Sequence, residues 1–255
     1  MDKLIFTALG STMANSVQRV MLTNDLANVS TTGFKRAMAD RPVPGKIDGP
    51  GFPTRFQPVV STQDDIINLK AGTPVQTGNP LDVSMNDKTV LGVQSEDGAL
   101  AFTRRGDLRI SEQGFLETAN GYLVATEEGG PLTVPAGGVT SITPDGTVFF
   151  EANQAVGVPP QAIGQLLLRD ASTTTLQRRR DGLFEEFGAG GLGGDIATGP
   201  EIASLTTGAL EGSNVNPVEV LVTLMDYYRS FETQMKVIKS AEDLDKDGTR
   251  LMRAS

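Results

Sequence analysis

Apolar residues near the start of the chain fall at Phe6, Leu9, Met13, Val17, Val20 and Ala27, with Leu22, Leu26 and Val29 on a neighbouring stripe. That spacing predicts a helix. Between Phe6 and Gln18 there is no charge, and Ala8, Gly10, Ser11, Ala14 and Ser16 are small, so the surface lets other helices approach closely. At the other end, Leu221, Leu224, Tyr228, Phe231, Met235 and Ile238 alternate three- and four-residue steps. This is a coiled-coil type seam with a period of about 3.5 residues. In "SNVNPVEVL", Asn216 fits the N-cap, Pro217 the first helical position and Glu219 the third, where a carboxylate can return a capping bond. Val215 and Val220 flank the cap in the manner of a hydrophobic staple. An amphipathic helix lying on its own domain explains the seam as well as assembly does, but two such ends paired alone would be marginal, which calls for further neighbours.

Between the ends the period changes. Residues 41–60, "RPVPGKIDGPGFPTRFQPVV", are rich in Pro and Gly and read as an extended connector. From about 75 to 200, short β-like runs alternate with turn signals: Asp97-Gly98, Asp145-Gly146 and Asp181-Gly182, with further turns at Gln113-Gly114 and Asn120-Gly121. The pattern therefore predicts an α+β molecule. Its N- and C-terminal helices would form a coiled-coil-like helical domain, with an antiparallel all-β domain inserted between them. The expected divisions are a helix over 1–35, a connector over 36–74, a β-rich domain over 75–200, a return connector over 201–215 and a helix over 216–255.

Composition narrows the chemistry. The chain of 255 residues has no cysteine and no histidine. That removes thiol nucleophiles, Ser-His triads, disulfides and thiolate or imidazole metal sites. A formal net charge of −9 argues against nucleic acid or an anionic membrane as partner. The basic run Arg178-Arg179-Arg180 reads as a solvated strand end. The opening lacks a basic region followed by an apolar run, and polar residues interrupt any membrane span, so no cleaved signal and no membrane insertion are expected.

Three motifs imitate sites. "DLDKDG", 243–248, looks like the first half of a calcium loop, but Ala254 stands where the last carboxylate belongs, so a charged helix end is the better reading. "GAGGLGG", 188–194, contains a literal G-x-G-x-x-G, yet "DIATGPE" follows instead of a helix, which leaves a loop. The pairs Asp64-Asp65, Glu127-Glu128 and Glu185-Glu186 are what a carboxylate-dependent glycan hydrolase would need. Adjacent strand residues point to opposite faces, so none is a ready catalytic couple. No catalytic, cofactor or metal residues are assigned, and no small-molecule substrate is expected.

"NDLANVSTTGFKR" after an uncharged helix resembles the N-terminal motif of the bacterial flagellar axial proteins of rod and hook. "LEGSNVNPVEVLVTLMDYYRSFETQMKVIKSAED" resembles their C-terminal counterpart, and "TGNPLDVSM", "LAFTRRGDLRISEQGFLETANGYLVA", "ITPDGTV" and "RDGLFEEFG" resemble their β segments in order. The motif residues are Leu26, Ala27, Asn28, Thr32, Gly33 and Phe34; Gly78, Asn79, Pro80, Leu81 and Asp82; and Ser213, Asn214, Val215, Asn216 and Glu219. Gly212 and the ending "KSAEDLDKDGTRLM" are similar to the proximal rod members that adjoin the distal rod; distal rod or hook-type membership is the alternative.

The resemblance implies a non-enzymatic subunit of a helical tube that crosses the periplasm, encloses the export channel and transmits torque. Partners would be further copies, other rod proteins and the flagellar type III export apparatus. Assembly would use Phe6, Leu9, Met13, Val17 and Val20 at one end and Leu221, Leu224, Tyr228, Phe231, Met235 and Ile238 at the other. The polar phrases "LANVSTTGFKR" and "SNVNPVE" are expected to mark one junction between the terminal segments and the β domain.

Overall fold

The computed structural model describes residues 16, 18–38, 43–44, 59–60, 65–152, 159–190 and 193–253. The chain divides into two compact units. One comprises Asn28–Met38 and Asp65–Val215; the other comprises Met1–Ala27, Ala39–Asp64 and Asn216–Ser255.

The described residues of the first unit form fifteen short strands. They are β1 (Pro74–Gln76), β2 (Val83–Met85), β3 (Thr89–Gln94), β4 (Leu100–Thr103), β5 (Leu108–Ile110), β6 (Leu116–Thr118), β7 (Leu123–Val124) and β8 (Gly138–Ile142). β9 (Thr147–Ala152), β10 (Gln161–Gln165), β11 (Leu168–Asp170), β12 (Leu176–Arg178), β13 (Phe184–Glu186), β14 (Leu205–Thr207) and β15 (Ala209–Glu211) complete it. The main sheet runs β12-β13-β4-β3-β7-β6-β5, with β11 also pairing β3, and a three-stranded sheet runs β8-β9-β10. β14 pairs β2 and β15 pairs β1. Every ladder among these strands is antiparallel.

Local chemistry sets the hairpins. Gly98, Gly114, Gly121, Gly146 and Gly182 all adopt positive φ at the turns the Asp-Gly, Gln-Gly and Asn-Gly pairs predict. At the first of these, Gly98 N–H donates to the Ser95 carbonyl at 2.9 Å, which closes the β3–β4 hairpin.

Strand β3 is covered on both faces. Leu91 and Val93 belong to one apolar cluster with Val83, Met85, Leu116, Val124 and Leu166. Val90 belongs to another, with Phe102, Leu167, Leu176 and Phe184. The two-residue period of a strand divides these neighbours between the faces. Gly92 lies on the Val90 face, and a β-carbon there would come within 2.5 Å of Leu167 Cδ2.

The second unit contains a two-residue ladder, Val43–Pro44 against Val59–Val60, and a 37-residue helix, Pro217–Arg253. The helix begins as the sequence predicts: the Val218 and Glu219 N–H groups donate to Asn216 Oδ1 at 3.1 and 3.4 Å. Residues 243–248 continue this helix, so "DLDKDG" forms no calcium loop.

The expected fold class needs correction. The described chain is mostly β-sheet with a single long helix at its C-terminal end, and no coiled-coil-like domain of paired terminal helices is present among the described residues. Among the described residues the N-terminal side contributes a helical stretch at 18–27. Leu221, Tyr228 and Met235 of the predicted seam are 49%, 57% and 47% exposed. Leu224, Phe231 and Ile238 are half-buried, and the half-buried positions between them are Tyr227 and Gln234. The physical reason is that a heptad stripe states which face of a helix is apolar, not what covers it.

Candidate functional site

The junction around "TTGFKR" contains three buried charges that the sequence reading passed over. Lys35 and Arg104 are fully buried and Glu211 is 2% exposed. Lys35 lies in the segment that follows residues 18–27, Arg104 directly follows β4, and Glu211 ends β15. All three sit inside phrases that carry the resemblance, GFKR, FTRRGD and LEGSN. Two cations and one anion, carried by three separate motifs, were the available signal.

Arg104 uses all five of its N–H donors. Nε reaches Glu211 Oε2 at 2.7 Å and Nη2 reaches Oε1 at 2.9 Å; Nη1 donates to the carbonyls of Asp87 (2.6 Å) and Thr89 (2.9 Å), and Nη2 to that of Met85 (3.0 Å). Lys35 Nζ donates to Glu211 Oε1 at 2.7 Å and to the Lys70 carbonyl at 2.9 Å, and Gly72 N–H donates to Oε1 at 2.9 Å. A buried charge is tolerated when it is paired and its hydrogen bonds are filled in this way. Burial, helped by the Arg104 charge, brings the Lys35 ammonium down to about 8 against the pull of Glu211. Burial pushes the Glu211 carboxyl up, but the hydrogen bonds and charges of Arg104 and Lys35 outweigh it and hold it below its ordinary value.

The backbone above the cluster is equally constrained. Gly33 has φ +67°, its N–H donates to the Glu211 carbonyl at 2.7 Å, and a β-carbon would fall 2.4 Å from the Arg104 carbonyl oxygen. Asn214 N–H donates to the Phe34 carbonyl at 3.2 Å. Arg36 N–H donates to Asn214 Oδ1 at 2.8 Å, and Asn214 Nδ2 to the Asn68 carbonyl at 2.8 Å. The two polar phrases are thus hydrogen-bonded to each other. The Arg178 guanidinium lies 4.5 Å from the centre of the Phe34 ring and donates to the Lys35 carbonyl. Arg179 pairs with Asp181 at 3.1 Å. Only Arg180 of that run is exposed, which corrects its reading as a solvated strand end.

The remaining motif residues distribute as follows. Asn79 and Asp82 close a turn, with Asn79 Nδ2 3.0 Å from Asp82 Oδ1, Asn79 Oδ1 accepting from Leu81 N–H and Gly78 at φ +74°. Pro80 in that turn is exposed, and Leu81 packs against the larger apolar cluster. Leu26, Asn28, Thr32, Phe34, Ser213 and Asn214 are half-buried; Gly33 and Val215 are buried; Ala27, Asn216 and Glu219 are exposed. Of the expected assembly residues, Val20 is 62% exposed, while Phe6, Leu9, Met13 and Val17 lie outside the described residues. Ser16 and Arg19 line a shallow groove with Tyr227, Tyr228 and Phe231. Glu185, from one of the carboxylate pairs, is buried and accepts from Gln177 Nε2 at 2.7 Å, while Asp64 lies outside the described residues. No helix among the described residues is long and apolar enough to cross a membrane.

A site made of saturated ion pairs and backbone clamps fastens chain segments together, which suits a structural role. Comparison with known proteins agrees. Residues 206–251 match the flagellar basal body rod FlgEFG protein C-terminal family, and residues 86–150 match the flagellar hook protein FlgE/F/G D1 domain. Glu211 falls in the first match and Arg104 in the second. The chain is 36% identical to the flagellar basal-body rod protein FlgF of Salmonella typhimurium over 261 residues, covering all of both chains. It is 34% identical to FlgF of Escherichia coli K12 over 95% of each, and 28% identical to the rod protein FlgG of Caulobacter vibrioides over 93% of this chain and 95% of that one. The chain belongs to the flagellar basal-body rod protein family. It is a structural subunit of the flagellar basal body, not an enzyme, and it assembles with other flagellar rod proteins.

Proposed function

We propose that the chain is a subunit of the proximal rod, adjoining the distal rod, in the helical tube that crosses the periplasm, encloses the export channel and transmits torque. It reaches that place through the flagellar type III export apparatus. The C-terminal helix contributes to the tube wall through Leu221, Leu224, Tyr228, Phe231, Met235 and Ile238, and the N-terminal segment through Phe6, Leu9, Met13, Val17 and Val20. The β-rich part, about 75–200, stands on the outside of that tube.

The observation that carries this reading is the exposed apolar stripe on the 37-residue helix, with Leu221, Val222, Met225, Tyr228 and Met235 all above 40% exposed. Burying such a side chain contributes about 1.5–3 kcal/mol, so neighbouring subunits supply the cover that one chain lacks. The similarity of "LEGSNVNPVEVL" and the chain's ending to proximal rod members supports the axial position. Labelling this chain in isolated basal bodies and imaging the label tests it. Density at the proximal rod beside the distal rod is expected; density in the distal rod or hook overturns the assignment.

A further inference from the structure

The segment 28–38 is the first part of the β unit in sequence and the return 211–214 lies just before its last residue, Val215, and the two hold each other. Gly33 N–H binds the Glu211 carbonyl, Asn214 N–H binds the Phe34 carbonyl, and Arg36 N–H binds Asn214 Oδ1. Beneath them the Glu211 carboxylate accepts four hydrogen bonds, from Lys35 Nζ, Gly72 N–H and two nitrogens of Arg104. None of the buried hydrophobic residues of the core lies between 28 and 38; the described core passes from Leu22 to Ile67. The strap is therefore seated by hydrogen bonds and ion pairs, the low-stability end of a fold, while β3 and its neighbours are seated by apolar packing.

We propose that residues 28–38 form a strap whose seating is conditional on the return segment 211–214, so that these two segments close and open together as one cooperative step, separately from the β core. The inference rests on shared partners. Without the Glu211 carboxylate, Lys35 and Arg104 become buried cations without an anion, which a low-dielectric site rejects. Lys35 leaves by moving the strap, whereas Arg104 remains tied to three β-unit carbonyls. Moving the strap breaks the Gly33 bond to the Glu211 carbonyl and the Phe34 and Arg36 bonds that fix Asn214. A chain delivered one end first cannot complete its strap until both ends are present.

Native-state hydrogen exchange on the full chain tests this with Glu211→Gln. The informative amides are Arg36 and Asn214, which the Glu211 side chain does not touch. Both should exchange at least tenfold faster, by a common factor, while Leu91, Gly92 and Val93 keep their protection. Unchanged exchange at Arg36 and Asn214 would overturn the proposal, as would acceleration of the β3 amides by the same factor. Should the Glu211→Gln chain fail to fold, Lys35→Met removes only one of the four bonds and reads the same amides.

Discussion

Arg104 grips Glu211 with a two-pronged fork, Nε to Oε2 at 2.7 Å and Nη2 to Oε1 at 2.9 Å, across 107 residues of sequence and without access to water. The remaining three donors of the same guanidinium hold the carbonyls of Met85, Asp87 and Thr89. Removing the fork leaves Glu211 short of a partner and three acceptors open. Arg104→Met should therefore destabilise the chain by about 3–5 kcal/mol. Lys35→Met, which leaves the fork in place, should cost clearly less. Urea unfolding followed by circular dichroism measures both, and equal costs would show that the fork is not the dominant element.

The Lys35 ammonium gives the cluster a dependence on pH. Its folded value, about 8, lies below the ordinary 10.5, chiefly through burial and secondly through the Arg104 charge. Between those values the unfolded chain binds a proton that the folded chain has released, so stability rises with pH there. The stability of the parent chain minus that of Lys35→Met should grow by about 1–3 kcal/mol between about pH 7.5 and pH 10. The sign is the same for Glu211, whose carboxyl is held below its ordinary value of 4.5, but the dependence falls in the acid range. Its contribution is present above that value and lost as pH falls below it. A difference between the two chains that stays flat from pH 7.5 to 10 would contradict the account of Lys35.

At Gly33 the backbone leaves no room for substitution. The positive φ acts together with the Arg104 carbonyl oxygen, 2.4 Å from where an alanine methyl group would sit, so Gly33→Ala should cost about 2–4 kcal/mol. Gly98→Ala, at a turn with open space around the β-carbon position, bears only the strain of its φ and should cost about 1 kcal/mol. Thermal unfolding of the two variants side by side measures the contrast, and equal losses would remove the steric contribution.

These contrasts show what a sequence can convey. The hairpins were legible because Asp97-Gly98, Asp145-Gly146 and Asp181-Gly182 act locally, each through a glycine that tolerates positive φ. The helix start was legible for the same reason, since Asn216 caps amides two and three residues away. The ion cluster was not, because Lys35, Arg104 and Glu211 are joined only by the fold, and a charge is read as solvated until its partner is known. Arg178 is a similar case: its neighbours Phe34 and Lys35 lie more than 140 residues away. The fold class was misread where periodicity was asked to supply a partner. Leu221 and Tyr228 mark an apolar helix face, and nothing in their spacing says whether the covering surface belongs to the same chain.

In the β core, Leu91 is fully buried in the larger apolar cluster and pairs Leu168 and Thr103 across β3. Leu91→Ala should lower stability by about 2–5 kcal/mol, with the loss depending on how far Val83, Leu116 and Leu166 collapse into the space. Calorimetry gives the value directly. A loss below about 1 kcal/mol would mean that the core does not depend on β3.

The central claim is that the exposed face of the C-terminal helix is covered by other rod subunits. Leu221 and Tyr228 are half exposed in the single chain, so the double substitution Leu221→Asp, Tyr228→Asp should leave its unfolding temperature within a few degrees of the parent. Quantifying that variant in purified basal bodies from cells lacking the parent chain is the most direct measurement. The account predicts that the folded variant is absent from the rods and that the cells do not swim; rods that contain it at the parental level, in motile cells, would contradict it.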